Sequence, residues 1–140
     1  MVANVDNMRA TFIMCNNAYF EGQLPEPYFE LMHSYKYCAL FHYNYDIFGG
    51  CKFKDPIIRV TDYYDFADSM FVDLICHEMI HYYLAYYGID RKVKHGQDFL
   101  NMANFLNQNY GLNIVVEYDK STLIRSDGAP LLKYWLNQLF

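Results

Sequence analysis

The sequence predicts one α+β domain with a histidine cluster carried on a central helix. Three observations lead there. Apolar residues recur at helical spacing in three segments, while the stretch from about 35 to 62 is aromatic-rich, turn-bounded and reads as short strands. In the most apolar of the helical segments, LICHEMIHYYLAYYG (74–88), sit His77, Glu78 and His81. The 140 residues, 54% hydrophobic and 19% aromatic with 15 Tyr and 11 Phe, fill a single core and are too few for two.

The elements follow in order. Val5, Met8, Phe12, Cys15, Tyr19 and Phe20 mark a first helix, which Gly22 and the LPEP turn (24–27) stop. Tyr35 to Tyr45 (YKYCALFHYNY) reads as a strand, with Gly49 and Gly50 beyond it. PIIRVTD (56–62) reads as a second, with Pro56 at its start, where a missing N–H is tolerated. Several residues between Asp62 and Ser69 can cap the next helix, which runs to about Tyr87 and stops at Gly88. A further helix from about Gln97 to Tyr110 buries Phe99, Met102, Ala103, Leu106 and Tyr110 and ends at Gly111. LNIVVEY (112–118) reads as a last strand. APLLKYWLNQLF (129–140) reads as a C-terminal helix with Pro130 in its first turn. Its wide apolar face (Leu131, Leu132, Trp135, Leu136, Leu139, Phe140) joins the core or docks a partner.

Composition excludes several function classes. Net charge is -5 and pI about 5.4, so there is no general basic surface for nucleic acid. The short cluster Arg91, Lys92 and Lys94 reads as a solvated loop. Cys15, Cys38, Cys51 and Cys76 are widely spaced, without a CxxC pair, and read as reduced, mostly buried thiols. The start lacks a basic segment followed by an apolar one, and no uncharged apolar run reaches about 18 residues. No signal peptide, no membrane span and a cytoplasmic location are expected.

His77 and His81 stand at i and i+4, so both imidazoles lie on one helix face, one turn apart. Two nitrogens so placed can share one tetrahedral ion. Glu78 is rotated by about 100° and stands beside such an ion, where it can take a proton from activated water. This is the HExxH pattern of zinc hydrolases. Leu74 and Ala85 share the face of the pair, and a small Ala85 leaves room there. The alternative is two core histidines satisfied by hydrogen bonds.

Of the other histidines, His33 and His42 read as ordinary packing or surface residues. His95 stands just before the next helix. From His81 the helix climbs roughly 9 Å to Tyr87 at about 1.5 Å per residue. The chain from Gly88 to Lys94 can span roughly 23 Å on its way back. His95 can therefore reach the pair, and Gly96 allows close backbone approach. Three His with an open fourth position is a catalytic rather than a structural coordination.

Three blocks in order, NAYFEGQLPEP (17–27), LICHEMIHYYLAYYG (74–88) and HGQDF (95–99), carry a family likeness. The chain resembles the SprT-like metallopeptidases, the family of the Spartan proteases, over about residues 10–115. That resemblance implies a zincin-like α+β domain spanning 1–140: an N-terminal helix, a small sheet, the HExxH helix, and a helix with the third ligand at its start. It implies one zinc ion per chain on His77, His81 and His95, with Glu78 as the catalytic glutamate. The implied activity is cleavage of a protein or peptide substrate by water, with Glu78 as general base. An extended substrate is expected to add along the strand at 57–61. Many members carry a C-terminal zinc ribbon; this chain has no cysteine after Cys76. Nucleic acid is a partner the resemblance allows and the charge does not support. The tail from 116 to 140 matches no family feature. The rival reading is a zincin-like protein-binding module that does not cut, against which the intact Glu78 argues.

Overall fold

The computed structural model describes residues 1–48, 50, 52–89 and 94–127. Helix α1 (Val5–Tyr19) opens with a reciprocal cap: the Asn4 side chain accepts from the Asn7 N–H, and the Asn7 side chain accepts from the Asn4 N–H. Met8, Phe12 and Cys15 bury its inner face, whereas Val5 stays exposed. The turn after it is held by Asn16. Its side chain donates to the Leu24 carbonyl at 2.8 Å and accepts from the Leu24 N–H at 3.2 Å. Gly22 takes a left-handed φ of 66° in that turn, which a side chain would strain.

Three strands then form a mixed sheet: β1 (Tyr28–Met32), β2 (Ala39–Asp46) and β3 (Lys52–Thr61), in the order β1-β3-β2. β1 runs parallel to β3, and β2 antiparallel to it. Three sequence expectations change here. β1 was not anticipated, because the LPEP turn masks the start of a strand only five residues long. β2 begins at Ala39 rather than Tyr35, since the Ser34 hydroxyl accepts from the N–H groups of Lys36 and Tyr37 and folds that stretch into a turn. Pro56 lies inside β3, not at its start. The pairing of β2 with β3 slips between His42 and Asn44, opposite Pro56, so its missing N–H falls at a bulge. β3 is paired on both sides, so residues 57–61 have no free edge for a bound peptide. The outer strands are β1 and β2.

A two-residue strand β4 (Tyr64–Asp65) leads into helix α2 (Asp68–Tyr86), and Gly88 follows that helix at a left-handed φ of 64°. Helix α3 (Gln97–Tyr110) ends at Gly111, φ 69°, as the sequence predicts. The 112–118 segment is not a strand: it forms no ladder, and side chains of α2 and α3 hold its backbone instead. Beyond it come one 3-10 turn (Lys120–Thr122) and strand β5 (Ile124–Arg125), which pairs with β4. The expected C-terminal helix over 129–140, Cys51, Arg91 and Lys92 lie outside the described residues.

α2 is the hub, touching α1 and α3, β2 and β3. From Leu74 to Ile80 every residue is buried. Its Tyr82 stacks on Phe41 of β2 (5.3 Å between ring centroids) and on Phe53 of β3 (5.8 Å), and its hydroxyl donates to the Pro25 carbonyl at 2.9 Å. One residue thus pins both the sheet and the LPEP turn to the helix that bears His77 and His81. Burial of each such large side chain contributes about 1.5–3 kcal/mol. Cys15, Cys38 and Cys76 are free, buried thiols. No helix among the described residues is long and apolar enough to cross a membrane.

Candidate metal centre

His77 and His81 project from α2, one turn apart, and His95 arrives from the residue before Gly96, the N-cap of α3. The three Nε2 atoms form an equilateral triangle: each lies 3.2 Å from the other two. The Nδ1–H of His77 donates to the Val115 carbonyl at 2.7 Å, which puts the proton on Nδ1 and leaves Nε2 with a bare lone pair. Three imidazole nitrogens converging on one point cannot all satisfy one another by hydrogen bonds. Around one tetrahedral ion with bonds of about 2.0–2.1 Å such nitrogens stand roughly 3.3–3.4 Å apart. The triad therefore fits a small divalent cation, and His77, His81 and His95 could hold it. The alternative of hydrogen-bonded core histidines accounts for Nδ1 of His77 but cannot satisfy all three Nε2 atoms at once.

Burial keeps these rings neutral and ready to donate lone pairs. It lowers the His77 pKa to about 4 and that of His81 to about 3, where repulsion from His77 and His95, were they protonated, and from Lys94 adds to the effect. His95, nearer solvent, is lowered for the same first cause and then by Lys94. Phe99, 1% exposed in the first turn of α3, backs all three: its ring centroid is 4.8 Å from His77, 4.7 Å from His81 and 4.8 Å from His95. An apolar ring behind the cluster excludes water there and fixes the imidazole planes.

Glu78 lines the same cleft as the three histidines, a cavity of about 670 Å³. It is 5% exposed, and its Oε2 has no hydrogen-bond partner among the described residues. Burial pushes its pKa up to about 8, with Lys94 pulling weakly the other way. An orphaned buried carboxylate oxygen costs free energy unless a ligand or water meets it. Leu74 and Ala85 line the cleft as their helix positions suggest, and Ala39, Leu40, Phe41 and Tyr43 of β2 form an opposing wall. His33 and His42 are not brought to the site. His33 pairs with Asp62 at 2.9 Å, and His42 is exposed on β2.

The residues that hold the His77 partner were missed in the sequence. The Asn107 side chain accepts from the Ile114 N–H at 2.8 Å and donates to its carbonyl at 3.0 Å. Asp73, one turn before His77, accepts from the Asn113 N–H at 3.1 Å. Together they clamp the segment that presents the Val115 carbonyl. Asn107 left one trace: it is a polar residue at i+4 from Ala103 and i+8 from Phe99, inside an apolar stripe. Nothing in the sequence singles out Tyr118, whose ring lies 5.9 Å from that of His77 in the same cleft.

Comparison with known proteins agrees with this geometry. The sequence model of the SprT-like family matches residues 8–118, most of the chain. Among curated proteins none matches.

Proposed function

The chain belongs to the SprT-like family, and from that premise we propose that it is a zinc-dependent metallopeptidase, folded as one zincin-like domain over residues 1–140. The observation that carries the proposal is the triangle of three Nε2 atoms beside a buried carboxylate with a free oxygen. In this reading His77, His81 and His95 hold one zinc ion per chain, and Glu78 is the general base. When bound, zinc supplies Lewis acidity, lowering the pKa of water and polarising a carbonyl. Glu78 accepts the proton of the attacking water at Oε2, keeps it sheltered from bulk solvent, and returns it to the leaving amine. Its burial suits the second half of that task, since a sheltered carboxyl holds the proton until the amine can take it.

The partner is a protein or peptide in extended form. β2, an outer strand, supplies the cleft wall facing the triad, so a substrate adds along β2 rather than along 57–61. Lys36, Lys94 and Lys120 at the mouth give nucleic acid a local foothold on a chain of charge -5. The buried free thiols fit a cytoplasmic location.

Glu78→Gln tests this reading. The change is nearly isosteric and spares the histidines, so zinc content and fold should match wild type. Cleavage of unfolded casein should fall by at least about 10²-fold, because the amide cannot act as the base. Equal cleavage by wild type and Glu78→Gln refutes the mechanism. Zinc-loaded wild type that cuts nothing favours a binding module.

A further inference from the structure

Tyr118 carries the second orphaned polar atom of the cleft. Its hydroxyl is buried and has no hydrogen-bond partner among the described residues, although its side chain lines the same cavity as Glu78 and stands against His77. A buried phenol ordinarily finds an acceptor, and one that does not is a cost the fold must offset. Two such orphans, Glu78 Oε2 and the Tyr118 hydroxyl, belong to side chains that line one cleft beside one histidine cluster. One is an acceptor and the other a donor. The pair is what a peptide bond under attack by water requires: an acceptor for the proton of the water, and a donor for the oxygen that gains charge.

The tail places this hydroxyl, with two independent anchors. Upstream, Asn107 and Asp73 clamp residues 113–114. Downstream, the Asp119 side chain caps the 3-10 turn through the Ser121 N–H, and β5 pairs with β4 while the Ser126 hydroxyl donates to the Asp62 carbonyl at 2.8 Å. The 116–127 stretch is thus tied down on both sides of Tyr118. A phenol ordinarily titrates at about 10, so at neutral pH this hydroxyl is an O–H donor.

We propose that Tyr118 is a catalytic residue of this site: its hydroxyl donates a hydrogen bond to the carbonyl oxygen of the scissile peptide as that oxygen becomes negative. This rests on the peptidase reading above. In the step concerned, the water oxygen forms the new C–O bond, its proton passes to Glu78, and the carbonyl π pair moves onto the carbonyl oxygen. The C–N bond then breaks as Glu78 gives the proton to nitrogen. Tyr118 keeps its own proton throughout and acts only on the charged oxygen, so its contribution is confined to the transition state.

Tyr118→Phe removes the hydroxyl and keeps the ring against His77. Because the hydroxyl is unpartnered, the melting temperature of the metal-free variant should equal or exceed that of wild type, and its zinc content should be unchanged. With casein as substrate, kcat should fall about 10²-fold with KM little changed, the signature of a donor used only in the transition state. A phosphinic alanine pseudodipeptide, whose tetrahedral oxygens imitate that charge, should bind the zinc-loaded variant about 10²-fold more weakly by calorimetry. A clear drop in the metal-free melting temperature would reveal a structural partner for the hydroxyl and overturn the assignment. So would a kcat loss that follows Tyr37→Phe, an exposed phenol lining the same cleft, instead of Tyr118→Phe. Wild type that cuts casein and binds the phosphinic peptide, beside a Tyr118→Phe that matches it, overturns the assignment alone. Zinc-loaded wild type that does neither overturns the peptidase reading, and the assignment with it.

Discussion

Asn107→Ala probes how a side chain outside the cleft lining controls one histidine. The Asn107 amide makes two bonds to a single backbone unit, at 2.8 and 3.0 Å, and Ile114 is only 4% exposed. Removing the amide loses two hydrogen bonds of about 1 kcal/mol net each and leaves a buried N–H and C=O without partners, at about 1–3 kcal/mol more. The expected destabilisation is roughly 3–5 kcal/mol, a large share of the roughly 5–15 kcal/mol that holds a domain together. A second effect should accompany it. The loosened segment presents the Val115 carbonyl to His77 Nδ1, and loss of such an outer partner typically weakens metal binding about 10–100-fold. Urea denaturation of the metal-free protein reads the first effect, and competition with a chromophoric zinc chelator reads the second. Asn107→Asp keeps an acceptor for the Ile114 N–H and should lie between alanine and wild type in both. If stability falls as expected while zinc affinity stays at the wild-type value, the clamp does not act through His77 and the reasoning fails.

Two further outcomes are expected. Purified protein should hold about one zinc per chain, and His77→Ala, His81→Ala or His95→Ala should lose most of it by atomic absorption; full occupancy in the His77→Ala/His81→Ala double variant would remove the triad from consideration. The metal-free protein should also lose stability in mild acid. Burial holds the folded pKa of His77 at about 4, below the unfolded value of about 6.5, so the unfolded state takes up protons first as pH falls. Stability present above pH 6.5 is therefore lost as pH drops toward 4. The cost is about 2 kcal/mol at pH 5 for His77 alone, with His81 adding in the same direction. Urea midpoints that do not change between pH 7 and 5 would contradict this.

Local signals carried much of the architecture. α3 runs from Gln97 to Tyr110 with Gly111 as its stop, because a strong apolar stripe and a residue able to adopt positive φ are both local facts. α2 and its stop at Gly88 were legible for the same reason. Strands fared worse. Their pairing partners are distant in sequence, and the Ser34 turn, the bulge at Pro56 and the central place of β3 depend on neighbours the local pattern does not name. LNIVVEY has a strand's composition, yet its backbone is held by the side chains of Asn107, Asp73 and His77, the last two distant in sequence.

The site divides in the same way. The i, i+4 spacing of His77 and His81, with Glu78 between them, is a property of helix geometry, so the sequence by itself determined that both imidazoles share one face. It also determined that His95 had chain enough to join them. Only the tertiary structure decided that the three Nε2 atoms meet at 3.2 Å, that Phe99 backs all three rings, and that Val115 holds the His77 proton. It also decided which of fifteen tyrosines lines the cleft with a buried hydroxyl that has no partner among the described residues. The reason is physical: a side chain's position on its own helix follows from 1.5 Å and about 100° per residue, whereas its meeting with another segment follows from packing, which no local window contains.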